Sequence, residues 1–221
     1  MNNQAHVTYL FDPLCGWCYG ASPLLAQLAA LPNLIVTLAP TGLFSGTGAR
    51  AVDGHFANFA WSNDVRIASL TGQRFTEDYR VKVLGGGGLL NSGPATLAVT
   101  AVSLTEPSRE IDALRLIQEA RYVAGLDVTN LPELRDILEG AGLSAAAARL
   151  AAPDAELLAA NRKRVDQAQL LMQEFEAGGV PALVVDDGQR TELVKAHKLF
   201  GNADDLIARL SALGRARLTH S

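Results

Sequence analysis

Val7, Tyr9 and Phe11 alternate along residues 6–11, a stretch dominated by β-branched and aromatic side chains. That two-residue period predicts a strand, and Asp12-Pro13 ends it. Residues 18–31 then change period. Leu24, Leu25, Leu28 and Leu31 fall at helical spacing, with Ala26, Ala29 and Ala30 as strong helix formers between them. Pro23 removes a backbone donor one turn after Cys18 and predicts a kink. Residues 34–39, Leu-Ile-Val-Thr-Leu-Ala, predict a second strand, parallel to the first after a right-handed crossover.

From about residue 60 to residue 177 strand patterns almost vanish. Helices are predicted over 65–70, 76–83, 94–104, 109–124, 132–139, 145–151 and 154–176. Several have sound starts. Asn91 or Ser92 caps ahead of Pro94, Thr129 or Asn130 ahead of Pro132, and Asp154 opens an acidic first turn with Glu156. After this block, residues 181–185 form a continuous apolar run suited to a buried strand. Asp186-Asp187-Gly188-Gln189 predicts a hairpin turn into a partner strand at 190–194. Residues 203–213 predict a last helix, with Asn202 as its cap. The order is β-α-β, a helical insertion, then β-β-α, an α/β chain. The expected organisation is one domain from residues 1–59 and 178–221, interrupted by a helical subdomain from 60–177.

Composition narrows the function classes. Hydrophobic residues at 48% against 19% charged supply a real core and exclude a disordered chain. A net charge of −4 with no basic stripe argues against nucleic acid. Arg162-Lys163-Arg164 reads as a solvated helix face or as packing against carboxylates. No apolar run reaches the roughly 18 residues of a membrane span. The segment before Val7 carries no Lys or Arg and is no signal peptide, so the expected compartment is the cytoplasm. His6, His55, His197 and His220 are scattered, and the two cysteines have no second ligand pair, so no metal site is expected. Gly85-Gly86-Gly87-Gly88 lacks the Lys-Ser/Thr of a phosphate loop. It reads as a flexible link between helices and a hinge for the helical block.

The chemistry concentrates in Asp12-Pro13-Leu14-Cys15-Gly16-Trp17-Cys18-Tyr19, where a strand gives way to a helix. The first thiol then faces unpaired backbone N–H groups and the positive end of the helix dipole, both of which favour thiolate. Cys15 is therefore the expected nucleophile. Cys18, one turn on and on the same face, is the expected resolving thiol. A structural disulfide closing so short a loop would remove little chain entropy, which points to redox use. Asp12 reads either as a buried proton acceptor for Cys18 or as a turn cap before Pro13. Trp17 reads either as a substrate-contacting rim or as packing for the insertion. Residues 41–46 follow the second strand and are candidates to line the same face.

These motifs, with the kinking Pro23, the helical insertion and Gly179-Val180-Pro181, resemble the DsbA-like branch of the thioredoxin superfamily, in particular its cytoplasmic bacterial members described as predicted protein-disulfide isomerases. The resemblance spans the element order of nearly the whole chain, with sharp matches only in the two short segments. It implies a thioredoxin-like fold with a large helical insertion. It also implies a cis Pro181 beside the cysteines, and Val180 offering its backbone to a bound peptide. The implied activity is thiol–disulfide oxidoreductase or isomerase on protein disulfides or small-molecule disulfides, with no cofactor beyond glutathione as a thiol partner. Gly16-Trp17 departs from the exported members, which place a histidine between the cysteines. Weaker thiolate stabilisation then leans toward reductase or isomerase chemistry. Two other classes share the layout. Kappa-class glutathione transferases and 2-hydroxychromene-2-carboxylate isomerases typically carry serine at the first cysteine position and lack the second cysteine. A non-enzymatic adaptor would need neither thiol. Oligomeric state is not written in the sequence.

Overall fold

The computed structural model describes residues 4–201 and 203–213. The predicted cap Asn202 and His220 lie outside the described residues. Among the described residues, six strands and ten α-helices follow in order: β1 (Ala5–Phe11), α1 (Gly16–Gly20), α2 (Ser22–Ala29), β2 (Leu34–Pro40), β3 (Arg50–Ala51), α3 (Gly54–Thr71), β4 (Leu89–Leu90), α4 (Gly93–Thr105), α5 (Glu110–Tyr122), α6 (Leu131–Gly140), α7 (Ser144–Ala151), α8 (Ala155–Glu174), β5 (Ala182–Asp186), β6 (Thr191–Val194), α9 (Ala196–Gly201) and α10 (Ala203–Leu213).

The main sheet runs β2-β1-β5-β6, with β1 parallel to β2 and antiparallel to β5, and β5 antiparallel to β6. The central pairing sets Leu10 against Ala182, so residues 180–181 sit beside the end of β1 despite a separation of about 170 positions along the chain. Val7, Leu10 and Phe11 lose all solvent contact. Each such side chain contributes roughly 1.5–3 kcal/mol of burial. Toward its C-terminal end β1 is buried residue after residue, so strict alternation fades there.

In the helical block, α4 is buried at eight consecutive positions, Ala95 to Val102, and is packed against α5, α6, α7 and α8. A helix apolar on every side can persist only when surrounded. Asn130 caps α6 through Glu133 N at 2.9 Å, and Asp154 caps α8 through Leu157 N at 2.7 Å, as their sequence context predicts. Arg164 of the basic triplet is drawn inward. It pairs with Glu110 and donates to Leu38 O at 2.9 Å, tying α8 to α5 and β2.

Three expectations are corrected. The helix predicted over 65–70 begins at Gly54, where Asp53 accepts from Phe56 N at 2.8 Å. Its first turns mix polar and aromatic residues without a clean apolar stripe. The helix predicted over 76–83 forms instead a π-helical turn, Tyr79–Leu84, a form that local periodicity does not distinguish. Gly85–Gly88 does not link two helices: it leads into β4, which pairs with β3, and Gly88 O accepts from Val52 N at 2.9 Å. Two-residue strands carry no period to read. The short helix α9 is likewise too brief for a pattern.

Candidate active site

The thiol pair is built by the turn between β1 and α1. Asp12 O accepts from Cys15 N at 3.1 Å, and Asp12 Oδ1 accepts from Leu14 N at 2.9 Å. Cys15 caps α1 in an extended conformation, so its side chain stands at the helix start and Cys18 lies one turn inward. The predicted single kinked helix is instead two. α1 stops at Gly20, Ala21 lies between, and Pro23 sits in the first turn of α2, where its missing N–H costs nothing.

Cys15 keeps 7% of its surface exposed and Cys18 only 1%. Both are present as thiols, within hydrogen-bonding reach of each other. Cys15 Sγ donates to Val180 O at 3.7 Å, and the Val180–Pro181 peptide is cis. Burial, then its contact with Cys15, pushes the Cys18 thiol well above its ordinary range. Beneath the pair, Tyr9 Oη donates to Cys18 O at 3.2 Å.

Asp12 is fully buried and caps the turn. Its other oxygen accepts from Ser92 Oγ at 2.7 Å and Phe44 N at 3.1 Å. One carboxylate thus joins the cysteine turn, the loop after β2 and the start of α4. Burial raises its pKa, and the Ser92, Leu14 and Phe44 bonds and Arg121 oppose that rise. Ser92, predicted as a side-chain cap of α4, spends its hydroxyl on Asp12 instead.

Trp17 is half-buried. Its ring meets Phe200 edge-on at 5.1 Å, Arg66 lies over it at 5.7 Å, and it also borders the cavity described next, so wall and packing coincide in one side chain. From the loop after β2, Thr41 Oγ1 and N both donate to Phe11 O, at 3.0 and 2.8 Å, and Phe44 lines the cavity.

That cavity, about 250 Å³, opens beside Cys15 and is mostly apolar. Its floor holds residues that no motif had marked: Asp64, Tyr79, Arg121 and Tyr122. Asp64 reaches it because α3 packs closely on α1. A Cβ at Gly16 would stand 2.5 Å from Asp64 Oδ1, and one at Gly20 would stand 2.6 Å from Ile67 Cγ2. Two glycines four apart open one face of α1 to two α3 residues three apart. Asp64 is 4% exposed and accepts from Tyr79 Oη at 3.1 Å. Burial pushes its carboxyl up to about 7, while the Tyr79 bond and Arg121 hold it from rising further. Arg121, 3% exposed, lies 5.6 Å from the Tyr79 ring centre and 5.7 Å from that of Tyr122. Tyr122 stacks on Tyr19 at 4.9 Å and donates to Leu14 O at 2.7 Å, bracing the residue before Cys15. One sequence signal for part of this set existed. Gln118 and Arg121 fall on the α5 face shared by Leu114 and Ile117, polar residues at core positions.

A family model for the DSBA-like thioredoxin domain matches residues 6–206. The chain belongs to the DSBA-like thioredoxin family. It is a DsbA-like thiol–disulfide oxidoreductase by family, and the expected fold, a thioredoxin-like α/β sheet with a large helical insertion, is the one observed. Among solved structures it is similar to the cytosolic disulfide reductase DsbM from Pseudomonas aeruginosa, at 32% identity over 96% of this chain and 99% of that one, with a TM-score of 0.83. The same reductase with GSH is 30% identical over 97% and 99%, with a TM-score of 0.78. The oxidoreductase DsbA from Xylella fastidiosa, 18% identical over 95% and 88% with a TM-score of 0.54, shares the DsbA-like fold. No curated protein matches this chain. Among the described residues, no helix of this DsbA-like chain is long and apolar enough to cross a membrane.

Proposed function

We propose that this chain is a cytoplasmic disulfide reductase or isomerase in which Cys15 attacks and Cys18 resolves. The observation that carries the reading is the placement of Cys15 Sγ. It belongs to the residue that opens α1 and borders an apolar cavity, 3.7 Å from the Val180 carbonyl, with Cys18 more deeply buried behind it. The Cys15 thiolate attacks a substrate disulfide, forming a mixed disulfide and expelling one thiolate, which takes up a proton. Cys18 then gives up its proton and attacks Cys15 Sγ. The second substrate thiol leaves, and a Cys15–Cys18 disulfide remains. Two electrons have passed to the substrate, and two equivalents of a small thiol restore the pair.

Burial of Cys18 suits this order, because a resolving thiol that stays protonated does not compete with Cys15 for the incoming disulfide. Asp12, close enough for its charge to act on Cys18, is the nearby carboxylate to receive that proton. The backbone of Val180 and the face of Trp17 form the edge on which an extended substrate rests.

Glutathione is the small thiol that this reading favours. Arg50 and Arg121 both line the cavity and are suited to carboxylates, and the similar DsbM from P. aeruginosa is described with GSH. The same relative is described as cytosolic and as a disulfide reductase, which supports the compartment and the direction of electron flow. A glutathione transferase would not need the second thiol, and the burial of Cys18 behind Cys15 favours disulfide exchange instead.

The test is a pair of variants. Cys15→Ser abolishes reduction of insulin disulfides by glutathione, and Cys18→Ala accumulates mixed disulfides on Cys15. Activity that survives Cys15→Ser, or a Cys18→Ala chain that captures nothing, defeats the proposal.

A further inference from the structure

Asp64 lies outside the Cys15–Cys18 motif, on the first helix of the insertion, yet it packs on the residue that follows Cys15. Its Oδ1 lies 2.5 Å from where a Gly16 Cβ would stand, and its Oδ2 takes the Tyr79 hydroxyl. Arg121 reaches the same two tyrosine rings from α5, and Tyr122 holds the Leu14 carbonyl. Cys15, Asp64 and Arg121 all line one cavity, and each acts electrostatically on Tyr122, which borders it.

We propose that Asp64 is a positioning residue for thiol–disulfide exchange: its carboxyl and the Arg121 guanidinium together set the charge felt by the Cys15 sulfur. The inference rests on Cys15 being the attacking thiol. Arg121 is permanently charged and favours a sulfur anion nearby. Arg121 also acts on Asp12 and Asp127, and a protonated Asp64 leaves more of its field to Cys15. An ionised Asp64 offsets that field further and opposes the thiolate. Burial puts this change of charge at about 7, so the cluster alters its net charge across the neutral range. The titratable and charged groups that share the cavity with Asp64 are Tyr79 from the π-helical turn, Arg121 and Tyr122 from α5, Cys15 from the turn before α1, and Arg50 from β3. On α3 itself, Arg66 is turned to the Trp17 ring. The buried guanidinium and its carboxyl partner are thus the pair that can tip the balance at Cys15.

The experiment follows Cys15 alkylation by neutral iodoacetamide across the neutral pH range, in the full chain carrying Cys18→Ala. The expected profile has two steps, one at the Asp64 titration. Asp64→Asn, which keeps shape and the Tyr79 bond, leaves one step and reacts about threefold faster just above neutrality, converging with the parent below it. Tyr79→Phe, which withdraws the hydroxyl from the ionised carboxylate, moves the Asp64 step to higher pH. Superimposable profiles in Asp64→Asn and the parent overturn the inference. If Asp64→Asn fails to fold, carboxyl NMR of the parent decides. A midpoint that differs between free and alkylated Cys15 supports coupling, and an identical midpoint ends it. A Cys15 that exchanges disulfides normally but ignores Asp64 defeats this inference alone. A chain that exchanges none defeats the proposed reaction as well.

Discussion

Gly16 and Asp64 are packed so closely that a methyl group on the glycine would stand 2.5 Å from the carboxylate oxygen, with Ile67 Cδ1 at 3.3 Å. The small residue between the cysteines is therefore dictated by a helix that begins about forty positions later. Gly16→Ala is expected to lower stability by about 1–3 kcal/mol through overpacking and to push Asp64 away from the thiol turn. Thermal denaturation at neutral pH checks it; an unchanged melting temperature counts against the packing described.

Asp64 also makes stability depend on pH. Its folded pKa of about 7 lies above the ordinary value of 3.8, so between these limits the folded chain binds more protons than the unfolded one. Stability contributed by this site is full below about pH 4 and is lost as the pH rises toward 7. Asp64→Asn removes that loss. The variant is expected to gain on the parent by about 1–3 kcal/mol between pH 5 and 8, since one pKa unit is worth about 1.4 kcal/mol. Urea midpoints at the two pH values measure the difference, and a constant offset would contradict it.

Ser92 supplies the shortest hydrogen bond to the fully buried Asp12. Ser92→Ala is expected to destabilise by about 1–3 kcal/mol, because a buried acceptor loses a partner. The carboxyl pKa, already raised by burial, rises further. The loss should be greater at high pH than in acid, because the Ser92 bond favours the ionised form. An equal loss at both would show that the bond does not serve the ionised form.

Tyr122→Phe keeps the aromatic stack with Tyr19 and removes only the hydroxyl that donates to Leu14 O at 2.7 Å. A cost of about 1–2 kcal/mol is expected, since the carbonyl it leaves is buried. The rate of disulfide exchange should fall with it, because Leu14 positions Cys15. Chemical denaturation and insulin reduction, run side by side, separate the two effects.

Much of this was legible along the chain. The alternation in β1, the leucine spacing of α2, the apolar run of β5 and the caps at Asn130 and Asp154 are all local signals, and all appear where the pattern places them. Cys15 and Cys18 announced themselves because a strand-to-helix junction and a three-residue spacing are both readable in eight consecutive residues. The β3–β4 pair, the π-helical turn and α9 were not legible, since elements so short or irregular have no period. Asp64 stayed hidden for another reason. On α3 only Asp64 and Ile67 are buried, too few to draw a stripe.

The order of residues alone determined the strands of the main sheet, most of the longer helices and the thiol pair, because backbone propensity, side-chain period and capping act over a few positions. Folding decided which distant groups share the cavity with that pair. Val180 arrives through the antiparallel register of β1 and β5, and Asp64 through two glycines that let α3 approach. Burial then altered their chemistry, since a carboxyl removed from water holds its proton to about pH 7 only after the surrounding helices have closed over it.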